Sequence, residues 1–276
     1  MKAGIEIHQQ LNTKTKLFCA CPTTLSDKVS KKIIRKLRAV AGETGEIDIA
    51  AFYEQTKGKY MEYEYDNEYA CLVELDEEPP KLISEEALKI SLILAEFFNM
   101  RVPSVLQVMR KTVVDGSNTS GFQRTVLVGL NGKLDISNGK TIRIQTLCLE
   151  EDAARKIEET EEKIIYRLDR LGFPLVEIAT GPDLTSPEEV LECAKKIGLV
   201  LRLSKKVKRG LGTIRQDINI SIPGEDKVEI KGAQDLKILK LVVENEVKRQ
   251  ENLKKWQEFV KERGITKIIL NETSQE

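Results

Sequence analysis

The sequence predicts an α+β fold, and three observations carry that reading. Several runs alternate apolar and polar residues with the period of two that a half-buried strand requires. One of these runs, Thr213 to Ile222, is followed by Pro223-Gly224-Glu225-Asp226 and then by Lys227 to Lys231, which is the pattern of an antiparallel hairpin. Two further segments, Ser84-Glu85-Glu86 and Ser186-Pro187-Glu188-Glu189, carry the chemistry of helix starts: a serine to accept orphan backbone N–H groups and acids at the positive end, with proline at the first helical position in the second.

The first strand is Gly4-Ile5-Glu6-Ile7-His8-Gln9-Gln10-Leu11, and it holds the single histidine of the 276 residues. Ile5 and Ile7 share one face, and Glu6 and His8 share the other. A lone E-x-H of this kind reads either as an edge strand whose polar face meets water or as one wall of a binding site. The other strands bear on the choice. Arg215, Asp217, Asn219 and Ser221 oppose the isoleucines at 214, 218, 220 and 222. In the returning strand, Glu229 and Lys231 oppose Val228 and Ile230. Pro174-Leu175-Val176-Glu177-Ile178-Ala179 places one acid in an otherwise apolar run, and an ionised carboxylate without a partner or metal is costly to dehydrate. With the Leu149-Glu150-Glu151-Asp152 cluster, these acids can line one concave sheet face.

Length and an apolar share of 41% allow one large domain or two small ones with an ample core. Lys and Arg number 44 and Asp and Glu 44, so no global field marks a nucleic-acid binder, while the density of charge suits a hot-environment protein rich in surface ion pairs. The absence of a signal peptide and of a long apolar run places the chain in the cytoplasm, with no membrane. Five cysteines, an odd number, fit reduced thiols. Cys19 and Cys21 form the one close pair. A zinc site would need two more ligands, and Cys71, Cys148 and Cys193 stand alone in the sequence, so buried thiols are the simpler reading.

In order, residues 24–40 read as a basic amphipathic helix, either a solvated face or a weak site for RNA phosphate. A tyrosine-rich strand and an irregular loop fill 58–80, and a helix runs from Ser84 to Phe98. Strands at 104–114 and 122–129 flank the small, polar loop Asp115 to Thr125. That loop is either an ordinary surface hairpin or a wrap of backbone amides around phosphate with Arg124 as charge partner. Thr141 to Leu149 is a strand, followed by an exposed glutamate-laden connection, a segment at 164–171 and the strand at 174–179. The helix opened by Ser186 runs to about Leu201 and empties into the basic turn Lys205-Lys206-Val207-Lys208-Arg209-Gly210. A long helix from Ala233 to about Arg263, stopped by Gly264, completes the series.

Carboxylates and one imidazole converging beside cations suit Mg²⁺ bridging the phosphates of a nucleotide such as ATP, with Asp217 and Glu229 toward metal and Arg215 and Lys231 toward phosphate. No G-x-x-x-x-G-K-[ST] loop or kinase motif set is present, so a nucleotide site would be built on a sheet.

Five motifs together resemble the GatB/GatE family. They are Gly4 to Leu11 with Lys16-Leu17-Phe18-Cys19; Leu149-Glu150-Glu151-Asp152-Ala153; Gly172 to Ile178; Gly212 to Ser221; and Val228-Glu229-Ile230-Lys231-Gly232. Leu72 to Pro80 and the loop Asp115 to Thr125 look like its archaeal GatE branch. The resemblance implies an antiparallel β-sheet cradle flanked by helices over residues 1–276. It implies a glutamyl-tRNA(Gln) amidotransferase, a carbon–nitrogen ligase: ATP phosphorylates the glutamyl side chain of Glu-tRNA(Gln), and ammonia liberated by the asparaginase-like GatD subunit then displaces phosphate, in a hetero-oligomer. The family's metal and catalytic positions fall on Glu6, His8, Glu150, Glu177, Asp217 and Glu229, with Glu151 one position from Glu150. The downstream C-x-x-C zinc pair of many bacterial members is missing, so zinc is not carried over. The resemblance also implies a chain that stops near Leu270-Asn271-Glu272-Thr273, before an inserted synthetase-like domain and the helical and tail domains that grip tRNA, and so one that binds tRNA poorly alone. A non-catalytic scaffold or tRNA adaptor of the same family is the alternative.

Overall fold

The computed structural model describes residues 1–42, 44–137 and 139–264; the expected boundary near Leu270 to Thr273 lies outside them. The first strand, β1 (Lys2–Gln10), is central to a seven-stranded sheet. In chain order its other members are β4 (Val108–Thr112), β5 (Phe122–Asp135), β6 (Thr141–Glu151), β9 (Pro174–Thr180), β10 (Ile214–Ser221) and β11 (Val228–Ile230). They lie side by side as β11-β10-β1-β9-β6-β5-β4, and each neighbouring pair is antiparallel. Register shifts at Leu127/Gly129 and Ile144/Thr146 insert extra residues where β5 and β6 bend, and the sheet curls there.

The apolar alternation sends Ile5, Ile7, Val126, Leu147, Ile178, Ile218 and Ile220 to one face. Three helices cover it: α2 (Glu85–Phe97), α3 (Pro187–Leu203) and α4 (Leu239–Glu262), contributing Leu94, Ile197, Leu201 and Val243 to the same core. The predicted caps form as expected, with Ser84 Oγ accepting from Ala87 N and Ser186 Oγ from Glu189 N. Helix and sheet meet closely at Gly132, where an added Cβ would stand 2.6 Å from Met100 Cγ and 2.7 Å from Phe98 O. No helix among the described residues is long and apolar enough to cross a membrane.

A second sheet departs from the sequence reading in two places. It comprises β2 (Lys31–Lys36), β3 (Tyr60–Tyr65), β7 (Arg155–Glu159) and β8 (Lys163–Arg167), in the order β2-β3-β8-β7, with β3 and β8 parallel. The segment expected as a basic helix is β2. Ile33 and Ile34 are β-branched, and Ile33 packs on the Tyr63, Tyr65 and Tyr166 core while Lys32 reaches Glu62 and Glu64. The glutamate-laden connection is the hairpin of β7 and β8, whose outer strand is exposed and so shows no alternation. A short helix, α1 (Ile49–Thr56), capped by Asp48, lies between β2 and β3. The last helix starts at Leu239 rather than Ala233, because Asp235 turns the chain by accepting from Lys237 N and Ile238 N.

Arg124, expected as a phosphate partner, is instead buried against Glu151, with Nη1 2.9 Å from Oε1. Burial pushes the Glu151 carboxyl upward, and the guanidinium pulls against it. Removing one member of such a pair strands the other. Arg124→Met is therefore expected to lower unfolding free energy by about 3 kcal/mol in denaturant titration, and Arg124→Met with Glu151→Leu to recover most of it. Equal midpoints for the single variant and the parent would contradict this.

Candidate functional site

The polar face of the large sheet is the one the helices leave uncovered, and registration assembles it. Glu6 pairs with Asp217 and Ala179, His8 with Arg215 and Glu177, Glu177 with Cys148, Glu150 with Leu175 and Thr125, and Asn219 with Glu229. Directly opposed residues in an antiparallel pair share a face. Glu6, His8, Glu150, Glu177, Asp217 and Glu229 therefore all project to the same side, although they come from five strands.

Glu177 is the hub. Its Oε2 lies 3.0 Å from His8 Nε2 and 2.8 Å from Lys111 Nζ. His8 Nε2 is also 3.7 Å from Glu6 Oε1, and Lys111 Nζ is 3.6 Å from Glu150 Oε1. Glu150 is fully buried and oriented from β5: Thr125 Oγ1 donates to its Oε1 at 3.0 Å and Gln123 Nε2 to its Oε2 at 3.1 Å. Burial raises the Glu177 carboxyl, but hydrogen bonds from His8 and Lys111 outweigh it and hold the group at about 2. Glu6 and Glu150 are displaced the other way, first by burial and then by the charge of Glu177.

Toward the β11 edge the site continues less tightly. Asp217 Oδ1 accepts from Gly232 N at 3.0 Å, and Lys231 Nζ lies 3.2 Å from Glu229 Oε2 and 3.9 Å from Asp217 Oδ2. Arg215 turns to Asp152, with Nη2 3.1 Å from Oδ1, at the end of the site where Gln10 Nε2 donates to Asp152 Oδ2. Asn219 Oδ1 is buried without a hydrogen-bond partner on this same face.

Lys111 is the member that sequence reasoning missed. It lies in a strand exposed along its whole length, with no alternation to flag it, and only its pairing with Gln123 aims it at the acids.

The residues fit a hard divalent cation. Donor atoms of Glu6, His8 and Glu177 lie within 4.8 Å of one another. An octahedral ion with ligands at ~2.1 Å has donors roughly 3 to 4 Å apart, so small side-chain adjustments suffice. Carboxylate oxygens with one imidazole suit Mg²⁺ or Mn²⁺.

A second cluster corrects the reading of the cysteines. Cys71 does not stand alone: with Cys19, Cys21 and Glu74 it forms a group whose ligand atoms lie within 4.8 Å of one another. Cys19 Sγ donates to Glu74 Oε1 at 2.8 Å, and Cys71 N donates to Glu74 Oε2 at 2.8 Å. Three sulfurs and a carboxylate are a donor set that fits Zn²⁺. Cys71 and Glu74 arrive from a turn distant in the chain, which spacing around Cys19 and Cys21 does not reveal. Cys148 and Cys193 remain isolated buried thiols, each pushed up to about 12 by burial.

A family model described as the GatB/GatE catalytic domain matches residues 1–275. The chain is 56% identical over 265 residues to the E subunit of glutamyl-tRNA(Gln) amidotransferase from Methanocaldococcus jannaschii, covering 96% of this chain and 42% of that protein. It is 51% identical over 270 residues to the proteins of the same name from Saccharolobus solfataricus and Sulfurisphaera tokodaii, covering 98% of this chain and 42% and 43% of theirs. The chain thus spans about two fifths of the length of these relatives. A match over nearly every residue, together with acids gathered on one sheet face by the motifs that carry the resemblance, places this chain in the GatB/GatE catalytic-domain family.

Proposed function

We propose that this chain is the activating centre of an ATP-dependent glutamyl-tRNA(Gln) amidotransferase. The observation that carries the reading is the convergence of Glu6, His8, Glu150 and Glu177 around Lys111 on the open face of the sheet. Partly dehydrated acids are costly unless cations compensate them, and Lys111 together with a bound divalent ion would do so here.

A carboxylate is a poor electrophile until one oxygen becomes a leaving group. In the first step a carboxylate oxygen of the glutamyl side chain attacks the γ-phosphorus of ATP; the new O–P bond forms as the β–γ bridging bond breaks, and ADP departs. In the second, ammonia attacks the acyl carbon, the C–O bond to phosphate breaks, and inorganic phosphate leaves with the γ-phosphoryl group. Glu6, His8 and Glu177 would hold Mg²⁺, with Glu150, Asp217 and Glu229 around them. The ion supplies charge neutralisation on the transferring phosphates. Lys111, Arg215 and Lys231 present cations to phosphate oxygens from both sides of the acids. Glu150, its carboxyl raised by burial, is placed to take the proton that the incoming ammonia sheds. Ammonia comes from a GatD-type partner subunit, and the tRNA is shared with the rest of a longer protein.

The test is Mg²⁺-dependent ATP hydrolysis stimulated by Glu-tRNA(Gln), in the full-length protein assembled with its amidase partner. His8→Ala and Asp217→Asn are each expected to lose at least ~10²-fold of the stimulated rate, the scale on which single electrostatic contributors to a transition state act. Equal turnover in the parent and both variants would overturn the reading and leave a non-catalytic scaffold.

A further inference from the structure

The side of the sheet turned away from the acids holds a cavity that the proposed chemistry does not use. Side chains alternate along a strand, so Ile7 and Gln9 of β1 stand behind Glu6 and His8, and Ile214 and Gln216 of β10 stand behind Arg215 and Asp217. On that side, the C-terminal half of α3, the start of β10 and the segment just before α4 enclose about 410 Å³, a volume in the range of small-molecule sites. Gly198 of α3 lines it. Alanine is the better helix former, and a Cβ added at Gly198 would meet nothing within 4 Å. Neither helix geometry nor packing calls for glycine there; its effect is to leave the cavity open.

The lining has three kinds of group. Ile7, Ala194, Val207, Ile214 and Leu236 supply apolar surface. Gln9 and Gln216, only 4% and 6% exposed, supply amides. Gln9 Nε2 donates to the carbonyls of Gln10, Lys208 and Thr213, and Gln216 Nε2 to that of Ala233, but neither Oε1 accepts a hydrogen bond among the described residues. Buried polar groups are ordinarily satisfied, so these two acceptors call for N–H donors. The charged members are all basic. No Asp or Glu occurs between Glu192 and Asp217, and none lines the cavity. Lys208 is engaged elsewhere, donating to Thr23 O with its ammonium 3.9 Å from the centre of the Phe173 ring. Lys195 and Arg209 have no side-chain partner among the described residues, and Arg202 bonds only Gly198 O of its own helix.

We infer that this cavity is a second binding site, for a small organic anion whose apolar body carries an N–H donor. The body lies against the isoleucines and Leu236, the donor meets the free Oε1 atoms of Gln9 and Gln216, and the anionic group is held by Lys195, Arg202 and Arg209. Carboxylate and phosphate-type groups share this chemistry. The site stands independently of the reaction proposed above, because it uses none of the groups on the acid face.

The test is calorimetric titration of the full-length protein, with chelator and without nucleotide, using N-acetyl-leucine in one arm and its phosphonate counterpart in the other. At least one is expected to bind, and the tighter of the two identifies the anionic group. Gly198→Leu fills the cavity with a better helix former, so it is expected to keep the parental melting temperature and to lose binding. Arg202→Gln with Arg209→Gln is expected to weaken binding at least ~10-fold, the scale of lost hydrogen bonds to a charged group. Lys111→Met, on the opposite face, is expected to leave binding unchanged. Absence of binding of both probes by the parent would overturn the inference. So would binding that survives Gly198→Leu, parental affinity in the double arginine variant, or binding that is lost in Lys111→Met, which would assign the anion to the acid face.

Discussion

Replacing Glu177 by Gln is expected to lower the Glu-tRNA(Gln)-stimulated rate by about 10³-fold while leaving the protein folded at neutral pH. Glu177 touches both His8 and Lys111, so the change takes away a carboxylate that would hold the proposed ion and leaves His8 and Lys111 without their shared partner. Its stability effect has a sign that can be read separately. The folded-state carboxyl sits at about 2, below its ordinary value of 4.5, so its contribution is fully present above pH 4.5 and is lost as pH falls toward 2. The glutamine variant should therefore show a shallower loss of stability across that acid window than the parent. Parental turnover in the variant would remove Glu177 from the site.

Lys111→Met is expected to act in two opposite directions. Its ammonium lies between Glu177 and Glu150, in the space where a divalent ion would share those carboxylates, and two cations compete there. The neighbouring acids hold the ammonium above its ordinary pKa against the effect of burial, so it remains charged at neutral pH. Removing it should tighten Mg²⁺ or Mn²⁺ binding measured calorimetrically without nucleotide. The same variant should lower the stimulated rate by ~10²-fold, because a cation set against the transferring phosphate is lost. A variant that binds metal more weakly and turns over normally would contradict both halves.

Much of the large sheet was legible because its members alternate: Ile5 and Ile7 against Glu6 and His8, and Ile218 and Ile220 against Asp217 and Asn219, state which face is buried before any partner is known. The caps at Ser84 and Ser186 were equally plain, since capping is a local interaction. What failed depends on pairing across long sequence distances. Residues 31–36 look like a basic helix until tyrosine-rich β3 supplies an apolar surface for Ile33. Strand β7 is exposed along most of its length, and exposure erases the alternation that would mark it.

Within the site, the acids were found because a carboxylate in an apolar run is conspicuous. Lys111 was missed because a lysine in a polar strand is not. Arg124 shows the converse error: next to a small polar loop it resembles a phosphate ligand, but the parity of β5 turns it away from Thr125 and the acid face and into its pairing with Glu151. The Cys71 contact with Cys19 and Cys21 belongs to the same class, made by tertiary structure and invisible to local spacing.

The most direct measurement is a crystal of the protein soaked with Mn²⁺ and a non-hydrolysable ATP analogue, read by anomalous scattering. The account predicts a peak bonded to Glu6, His8 and Glu177, with the analogue's phosphates beside Lys111 and Arg215. Manganese bound only away from these three side chains, or nucleotide bound on the helix-covered face of the sheet, would contradict it.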